Sequence, residues 1–236
     1  MNEEFLTETK ILNYSSNLIQ DLIHTSKWNK LNQYDKIKSI YDFVQNEILF
    51  GYNNSDTLTA EQVLLDGYGQ CNTKATLLMA LLRGVGIPCR IHGFEVSKDF
   101  QRGATTAWIS VLAPSRIIHT WAEVYYNGQW LALEGVITDK RYFGAVKAMY
   151  PNISKEFRRY AIATDDFENL SIDWVGNNTY VQNAAVVTDF GIFSSPDEFF
   201  AKHSQHWSKV KNFMYVHFGR KIMNYNVAKI RNRFEG

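Results

Sequence analysis

The stretch that decides the fold of this chain reads Gly67-Tyr68-Gly69-Gln70-Cys71-Asn72-Thr73-Lys74-Ala75 and continues as an apolar run to Leu82. Its two glycines lack a Cβ, so the backbone is able to turn sharply just before Cys71. Between residues 75 and 82 every position but Thr76 is apolar, a pattern typical of a helix that is buried on nearly all sides. We therefore predict a central buried helix that begins at or near Cys71.

The chemistry of this helix depends on the position of Cys71 within it. Gly84 and Gly86, with Pro88 beyond them, supply stop signals at the far end, which leaves Cys71 in the first turn. Unpaired backbone N–H groups and the positive end of the helix dipole favour a thiolate there. A lone cysteine is more often a small core residue, so the hypothesis of a nucleophile needs partners elsewhere in the chain.

Length and composition indicate an ordinary soluble globular protein. The chain has 236 residues, of which 45% are hydrophobic and 21% charged, enough for one large domain. Its net charge of +1 argues against nucleic acid or an anionic membrane as the main partner. The acidic start, Met1-Asn2-Glu3-Glu4, is followed by no apolar segment of signal-peptide or membrane-spanning length, so we expect a cytoplasmic protein.

The two cysteines, Cys71 and Cys89, are too few for a disulfide scaffold, and a reducing compartment would keep both as thiols. The chain has no Cys-x-x-Cys and no His-x-x-x-His pair, the spacings that commonly hold a metal ion. We therefore predict neither a metal site nor a cofactor.

Helical periodicity dominates the residues before Cys71. A first helix is predicted within residues 16–30. A clearer helix follows, and its apolar stripe consists of Ile37, Ile40, Tyr41, Val44 and Ile48. Thr59, with Gln62 three residues later, is a capping-box pattern that predicts a short third helix.

After Pro88 the period changes to that of strands. Residues 89–94 alternate, and residues 105–113 and 117–126 are rich in β-forming residues. Asn127-Gly128 is the strongest short hairpin signal in the chain, and Gln129–Glu134 follows it as the returning strand. Helices followed by an antiparallel sheet predict the α+β class.

The second half is less regular. Residues 137–195 mix aromatic and turn residues without a firm period, and we expect them to cover or shape a cleft, or else to fill a second small core. Ser195 and Pro196 predict a helix start, and the face that follows consists of Phe199, His203, Trp207, Val210 and Met214. The predicted organisation is a core over residues 1–136 and an extension over 137–236 that packs on it without being an independent domain.

The tail from Pro196 onward is basic. It holds eight Lys and Arg residues against three Asp and Glu residues. Such a bias is typical of the solvated side of a helix packed on the domain, and a basic partner surface is the alternative.

The hairpin places a histidine beside a carboxylate. With two loop residues, Tyr126 faces Gln129, Trp121 faces Glu134 and His119 faces Val136. Side chains alternate across a strand, so His119 and Glu134 are diagonal neighbours on one face, at about 5–8 Å between their Cβ atoms. A carboxylate there accepts from one ring nitrogen and leaves the other to take a proton. No partner is apparent for the other histidines, at positions 24, 92, 203, 206 and 217.

Three separated motifs together resemble the core of the transglutaminase-like superfamily, which belongs to the papain-like thiol enzymes. The first runs from Gly69-Gln70-Cys71 through the apolar helix to Arg90, and the others are His119–Tyr125 and Trp130–Glu134. The likeness covers roughly residues 36–136. It implies a papain-like core in which the helix that starts at the cysteine packs on an antiparallel sheet, here with a C-terminal helical extension.

The resemblance also implies a catalytic triad. In the family the cysteine is the nucleophile, the histidine is the base, and an acidic residue four places after the hairpin tryptophan orients the histidine. These roles fall on Cys71, His119 and Glu134. The third position is usually Asp, and Glu134 is one methylene longer.

The expected activity is amide acyl transfer on a peptide or protein substrate, either by hydrolysis, as in a peptidase or amidase, or by transamidation, as in a transglutaminase. The Cys71 N–H is the natural oxyanion donor at the helix start. The second donor is open among Gln70, Trp108 and Trp121. The alternatives are a non-catalytic peptide-binding module with the same fold and an acyltransferase that uses a small thioester donor. The sequence leaves the substrate and the oligomeric state open.

Overall fold

The computed structural model describes residues 3–105, 113–205 and 208–234. The helices are α1 (Asn17–Thr25), α2 (Gln33–Asn46), α3 (Ala60–Asp66), α4 (Cys71–Gly84), α5 (Lys140–Met149), α6 (Pro196–Lys202), α7 (Lys209–Met214) and α8 (Arg220–Arg231). The strands are β1 (Leu49–Phe50), β2 (Tyr68–Gly69), β3 (Cys89–Ser97), β4 (Arg116–Tyr126), β5 (Gln129–Ala132), β6 (Phe157–Arg159), β7 (Ile162–Thr164) and β8 (Val186–Phe193). The predicted α+β class is confirmed. Within these ranges no helix combines the length and the apolar character needed to cross a bilayer.

Helix α4 is the central buried helix expected from the sequence. Its side chains from Asn72 to Arg83 are all buried. The Gln70 N–H donates to Thr73 Oγ1 at 3.0 Å, which fixes the first turn. Gly69 is required there, because a Cβ at this position would lie 2.7 Å from the same hydroxyl oxygen. The tight entry therefore places Cys71 as the first helical residue.

The main sheet has four antiparallel strands in the order β5-β4-β3-β8. Asn127 and Gly128 have φ angles of 48° and 81°, which makes the two-residue loop a type I′ turn with Tyr126 opposite Gln129, as predicted. One face of the sheet packs on α4 through residues that include Ala122, Val124, Leu131 and Leu133.

Strand β8 was not expected, because residues 137–195 showed no firm period. The strand pairs with β3, but the register shifts at two places, and Gly191 has a φ of 84°. The register shifts and Gly191 interrupt the alternation of inner and outer residues, so a period of two does not continue along the whole strand.

The prediction of one helix with a single face running from Phe199 to Met214 was wrong, because this segment is not one continuous helix. Ser195 does cap α6, since its hydroxyl oxygen accepts the Glu198 N–H at 3.2 Å. Helix α6 ends at Lys202, however, and α7 begins at Lys209, where Val210 is 69% exposed. Trp207 lies outside the described residues, as does most of the predicted β-rich segment 105–113.

Residues after 136 build a second core against the first part of the chain. In this core Phe50 and Tyr52 pack with α5, with residues 157–185 and with the buried face of α8. The Arg231 guanidinium donates to Asp139 Oδ2 at 2.8 Å and to the Phe50 carbonyl at 2.7 Å, in a buried position. The C-terminal residues are therefore tied to the core, while the division at residue 136 stays a prediction.

Candidate active site

Cys71 opens onto a cavity of about 450 Å³. Because it is the first residue of α4, its backbone N–H is one of those without an intrahelical partner. The thiol is half-buried, whereas the thiol of Cys89 is fully buried. Burial raises the pKa of Cys89 despite the opposing effect of Arg83. The two thiols thus differ in their access to solvent.

His119 lies near the start of β4 and is completely buried. Its Nε2 bonds Glu134 Oε1 at 2.9 Å. Its Nδ1 has no hydrogen-bond partner among the described residues and is the ring nitrogen that Glu134 does not engage. Burial alone would lower the pKa of His119, but the charge of the neighbouring Cys71 and then the Glu134 carboxylate raise it to about 10. These two neighbours therefore favour the charged imidazolium form of His119.

Glu134 reaches His119 by a different route from the predicted one. The β4–β5 ladder ends with Glu123 opposite Ala132, and residues Glu134–Ile137 form a 3-10 turn. The expected pairs of Trp121 with Glu134 and of His119 with Val136 were therefore wrong. Leu133 forms an isolated bridge with Thr179, which draws the chain out of the ladder. The turn that follows directs the longer glutamate side chain back to the imidazole.

The second carboxylate oxygen of Glu134 is held by the backbone. Its Oε2 accepts N–H groups from Val181 at 2.8 Å, Gln182 at 3.1 Å and Asn183 at 3.1 Å. Three donors compensate the burial of the carboxylate and fix its orientation. These donors come from the part of the chain that had no legible sequence pattern, so no local signal pointed to them.

Asn72 links the start of α4 to β4. Its amide donates to the Ile118 carbonyl at 3.2 Å, and its Oδ1 accepts the Thr120 hydroxyl at 3.0 Å. The Cys71 thiol lies 3.6 Å from the same Oδ1. Since Ile118 and Thr120 flank His119, this buried amide fixes the helix start relative to the histidine.

Gln70 is held at both ends of its side chain. Its Oε1 accepts the Asn53 N–H at 2.7 Å, and its Nε2 donates to Asp56 Oδ1 at 3.0 Å. The carboxyl of Asp56 is enclosed although the residue as a whole is half-buried, and burial raises its pKa. Asp56 was missed because a polar residue in a turn-rich loop gives no sign of its distant partner.

The three candidates for the second oxyanion donor separate in the structure. Gln70 lines the cavity beside Cys71. The centroid of the Trp121 ring lies 3.9 Å from that of Phe94 in a separate apolar cluster, and Trp121 is not among the described residues that line the cavity. Trp108 lies outside the described residues. Gln70 is therefore the candidate that the geometry favours.

The wall of the cavity opposite α4 comes from the end of the chain. Residues between 200 and 223, among them Gln205, Asn212 and Tyr215, line it, and no described residue from 137 to 195 does. The expectation that segment 137–195 covers the cleft was therefore wrong. Its aromatic residues fill the second core instead, where the rings of Phe157 and Phe167 stack at 4.1 Å.

His92 has partners that the sequence did not reveal. Its Nδ1 lies 3.0 Å from Glu123 Oε1, and its Nε2 lies 2.8 Å from Asp189 Oδ1. Asp189 belongs to β8, the unexpected strand, so the prediction that His92 lacks a partner was wrong. Burial lowers the pKa of His92, but the two carboxylates outweigh it and the net shift is upward.

Potential metal ligands do not cluster within the described ranges: no group of three His, Cys, Asp or Glu residues there could hold an ion.

Comparison with known proteins confirms the family resemblance. Residues 22–135 match the family model of the transglutaminase-like superfamily. This matched segment is a little under half of the chain. No protein of curated function matches the sequence.

Among solved structures, the chain is similar to a proposed cysteine protease from Cytophaga hutchinsonii. The two share 18% sequence identity and superpose with a TM-score of 0.46. The match covers 82% of this chain and 47% of the other, so the chain spans about half the length of that protein.

Proposed function

We propose that the protein is a thiol-dependent enzyme of amide acyl transfer, with Cys71 as nucleophile, His119 as general base and acid, and Glu134 as the residue that orients His119. The observation that carries the proposal is the buried His119 imidazole, bonded to Glu134 at 2.9 Å through Nε2 and open at Nδ1 beside the cysteine. A base oriented by a third group next to a nucleophile is the general arrangement for covalent catalysis.

The first half-reaction forms a thioester. The Cys71 thiolate attacks the carbonyl carbon of a peptide or carboxamide, and the oxygen becomes an oxyanion. The Cys71 backbone N–H and the Gln70 amide, held in place by Asn53 and Asp56, donate to that oxygen. His119 gives its proton to the departing nitrogen as the C–N bond breaks, and the amine or ammonia leaves.

The second half-reaction resolves the thioester. Water, or an amine such as a lysine side chain, loses a proton to His119 and attacks the same carbon. The C–S bond breaks, and the thiolate and the imidazolium are restored. Water gives hydrolysis, and an amine gives transamidation. The cavity of about 450 Å³ has room for the acyl group and for either acceptor.

The test is turnover of amide substrates by the full chain and by two cysteine variants. A pool of peptides that contain glutamine or a terminal carboxamide is incubated with and without a fluorescent primary amine. We expect products, either hydrolysed or carrying the amine, with the native chain and with Cys89→Ala, and none with Cys71→Ala. Turnover that persists in Cys71→Ala would contradict the proposal. Saturable binding of unmodified peptide without turnover would favour the binding module instead.

A further inference from the structure

The C-terminal helical segment is apolar on two opposite sides. From Lys209 to Arg231 the chain is helical throughout, with a π-helical turn at Tyr215–Gly219 joining α7 to α8. Its inner side packs on the second core through Met223, Val227 and Ile230. A surface helix normally has one apolar stripe, which faces the core, so a second stripe needs an explanation.

The second stripe is exposed. Its apolar side chains recur every three or four residues, and their exposed fractions are large: Val210 69%, Phe213 57%, Met214 38%, Phe218 58%, Ile222 37% and Tyr225 73%. We call this stripe, together with the exposed lysines Lys209, Lys211, Lys221 and Lys229, the C-terminal outer face. Exposed apolar patches of this kind mark interaction sites.

The charge of this face has one sign. Between residues 199 and 234 the sequence contains no Asp and no Glu. Within the described part of the chain, none of the four lysines of the outer face forms an ion pair, whereas Lys38 and Lys202 elsewhere are paired with carboxylates. The lysines therefore remain available to an anionic partner.

We propose that the C-terminal outer face docks on an anionic phospholipid surface. A helix that lies in a membrane interface places large apolar side chains among the acyl chains and lysines at the headgroups, which is the pattern of this face. Each lysine near an anionic leaflet adds favourable energy, and the contributions accumulate. The overall charge of +1 predicted no such partner, because it averages this basic segment with acidic residues elsewhere.

A second copy of the chain is a poorer occupant. A two-fold contact through this face would bring four lysines from each copy together without a carboxylate between them, and like charges at short range repel. An anionic surface removes that repulsion and covers the apolar side chains at the same time.

The proposed lipid contact would also lie close to the candidate active site. Asn212 and Tyr215 belong to the same helical segment and line the cavity beside Cys71. The Tyr215 hydroxyl donates to the Asn53 carbonyl at 3.0 Å, which ties the segment to the loop that holds Gln70. The lipid surface would therefore lie against the outside of the cavity wall.

The test is flotation of the full chain with phospholipid vesicles. One set contains phosphatidylcholine with about 30% phosphatidylserine, and the other contains phosphatidylcholine alone. We expect the protein to float with the anionic vesicles at about 0.05 M salt and to be largely released at about 0.5 M salt, because salt screens the lysines. Failure to float with anionic vesicles at low salt, or equal flotation with both sets, would overturn the proposal.

Variants of the C-terminal outer face test whether this face binds the vesicles. Removing three lysines by Lys209→Gln, Lys211→Gln and Lys221→Gln is expected to weaken partitioning by about tenfold or more. Phe213→Ser with Phe218→Ser is expected to weaken it as well, because apolar insertion is lost. All five positions are exposed, so folding, checked by circular dichroism, is expected to persist.

The matched control removes the same charge elsewhere, by Lys10→Gln, Lys30→Gln and Lys155→Gln at exposed positions. It is expected to float like the native chain. Equal loss in the control would show a non-specific charge effect and overturn the proposal. A stable dimer that the outer-face variants dissociate, without flotation of the native chain, would assign the face to self-association and overturn it too.

Discussion

Two histidines on the same face of the main sheet each bond a carboxylate, but their surroundings differ. His119 in β4 lies opposite Phe94, and His92 in β3 lies opposite Trp121, so both rings project from one face. His119 is completely buried, and one of its ring nitrogens has no hydrogen-bond partner among the described residues. The side chain of His92 is 18% exposed, and carboxylates occupy both of its nitrogens.

The comparison shows that a histidine–carboxylate pair does not by itself define a catalytic site. In the His92 cluster both ring nitrogens are bound, so neither is free to exchange a proton with a nucleophile. The His92 cluster ties β8 to the rest of the sheet. The His119 pair has the same two components, but it also has a free nitrogen and a cysteine at a helix start.

Replacing each histidine gives the largest expected difference. We expect His119→Ala to slow alkylation of Cys71 by iodoacetamide at neutral pH by about 100-fold, because the thiolate loses its imidazolium partner. His92→Ala is the matched control, and its rate should stay within about twofold of the native rate, since both ring nitrogens of His92 bond carboxylates. Equal slowing in both variants would show that the two histidines do not differ as described.

Replacing each carboxylate gives a smaller difference. Glu134→Gln keeps the size of the side chain but removes its charge, and we expect the same alkylation rate to fall by about tenfold. Glu123→Gln removes the corresponding carboxylate beside His92 and is expected to leave the rate unchanged. The alkylation rate of Cys71 is measured on both purified variants. An unchanged rate in Glu134→Gln would contradict the orienting role of Glu134.

The pKa of His119 should depend on Cys71. Burial lowers this pKa, and the neighbouring Cys71 is the strongest of the influences that raise it to about 10. In Cys71→Ala the pKa of His119 is therefore expected to fall, whereas that of His92 should not move. Imidazole titrations followed by NMR measure both. A fall in the pKa of His92, or an unchanged pKa of His119, would contradict the interaction between His119 and Cys71.

The His92 cluster is expected to contribute stability that depends on pH. Its folded-state pKa is raised above 6.5, so the contribution is fully present below pH 6.5 and is lost as the pH rises through the folded-state value. His92→Gln should therefore cost about 0.5–1 kcal/mol of unfolding free energy at pH 5.5 and less at pH 9. Urea unfolding at the two pH values tests this, and the opposite trend would contradict it.

Local signals in the sequence predicted the parts of the site that lie close together in the chain. Glycines and an apolar run predicted the helix that starts at Cys71, and Asn127-Gly128 predicted the hairpin that carries His119 toward Glu134. Both depend on backbone preferences of a few residues, which a single sequence displays. The register failed at Glu134, where Thr179, 45 positions away, draws the chain out of the sheet.

Contacts between distant segments could not be predicted. Asp56 supports Gln70 from a loop, and the amides of residues 181–183 hold Glu134 from a stretch without period. Asp189 reaches His92 from an irregular edge strand. Each contact is fixed by tertiary packing, and no local pattern of residue types encodes it.

The most direct test of the central claim is to map which cysteine of the native, folded chain reacts with limiting iodoacetamide at neutral pH. The half-buried Cys71 and the fully buried Cys89 are compared by peptide mass spectrometry within one sample. The account predicts that the label accumulates on Cys71. Labelling of Cys89 at an equal or greater rate would contradict it.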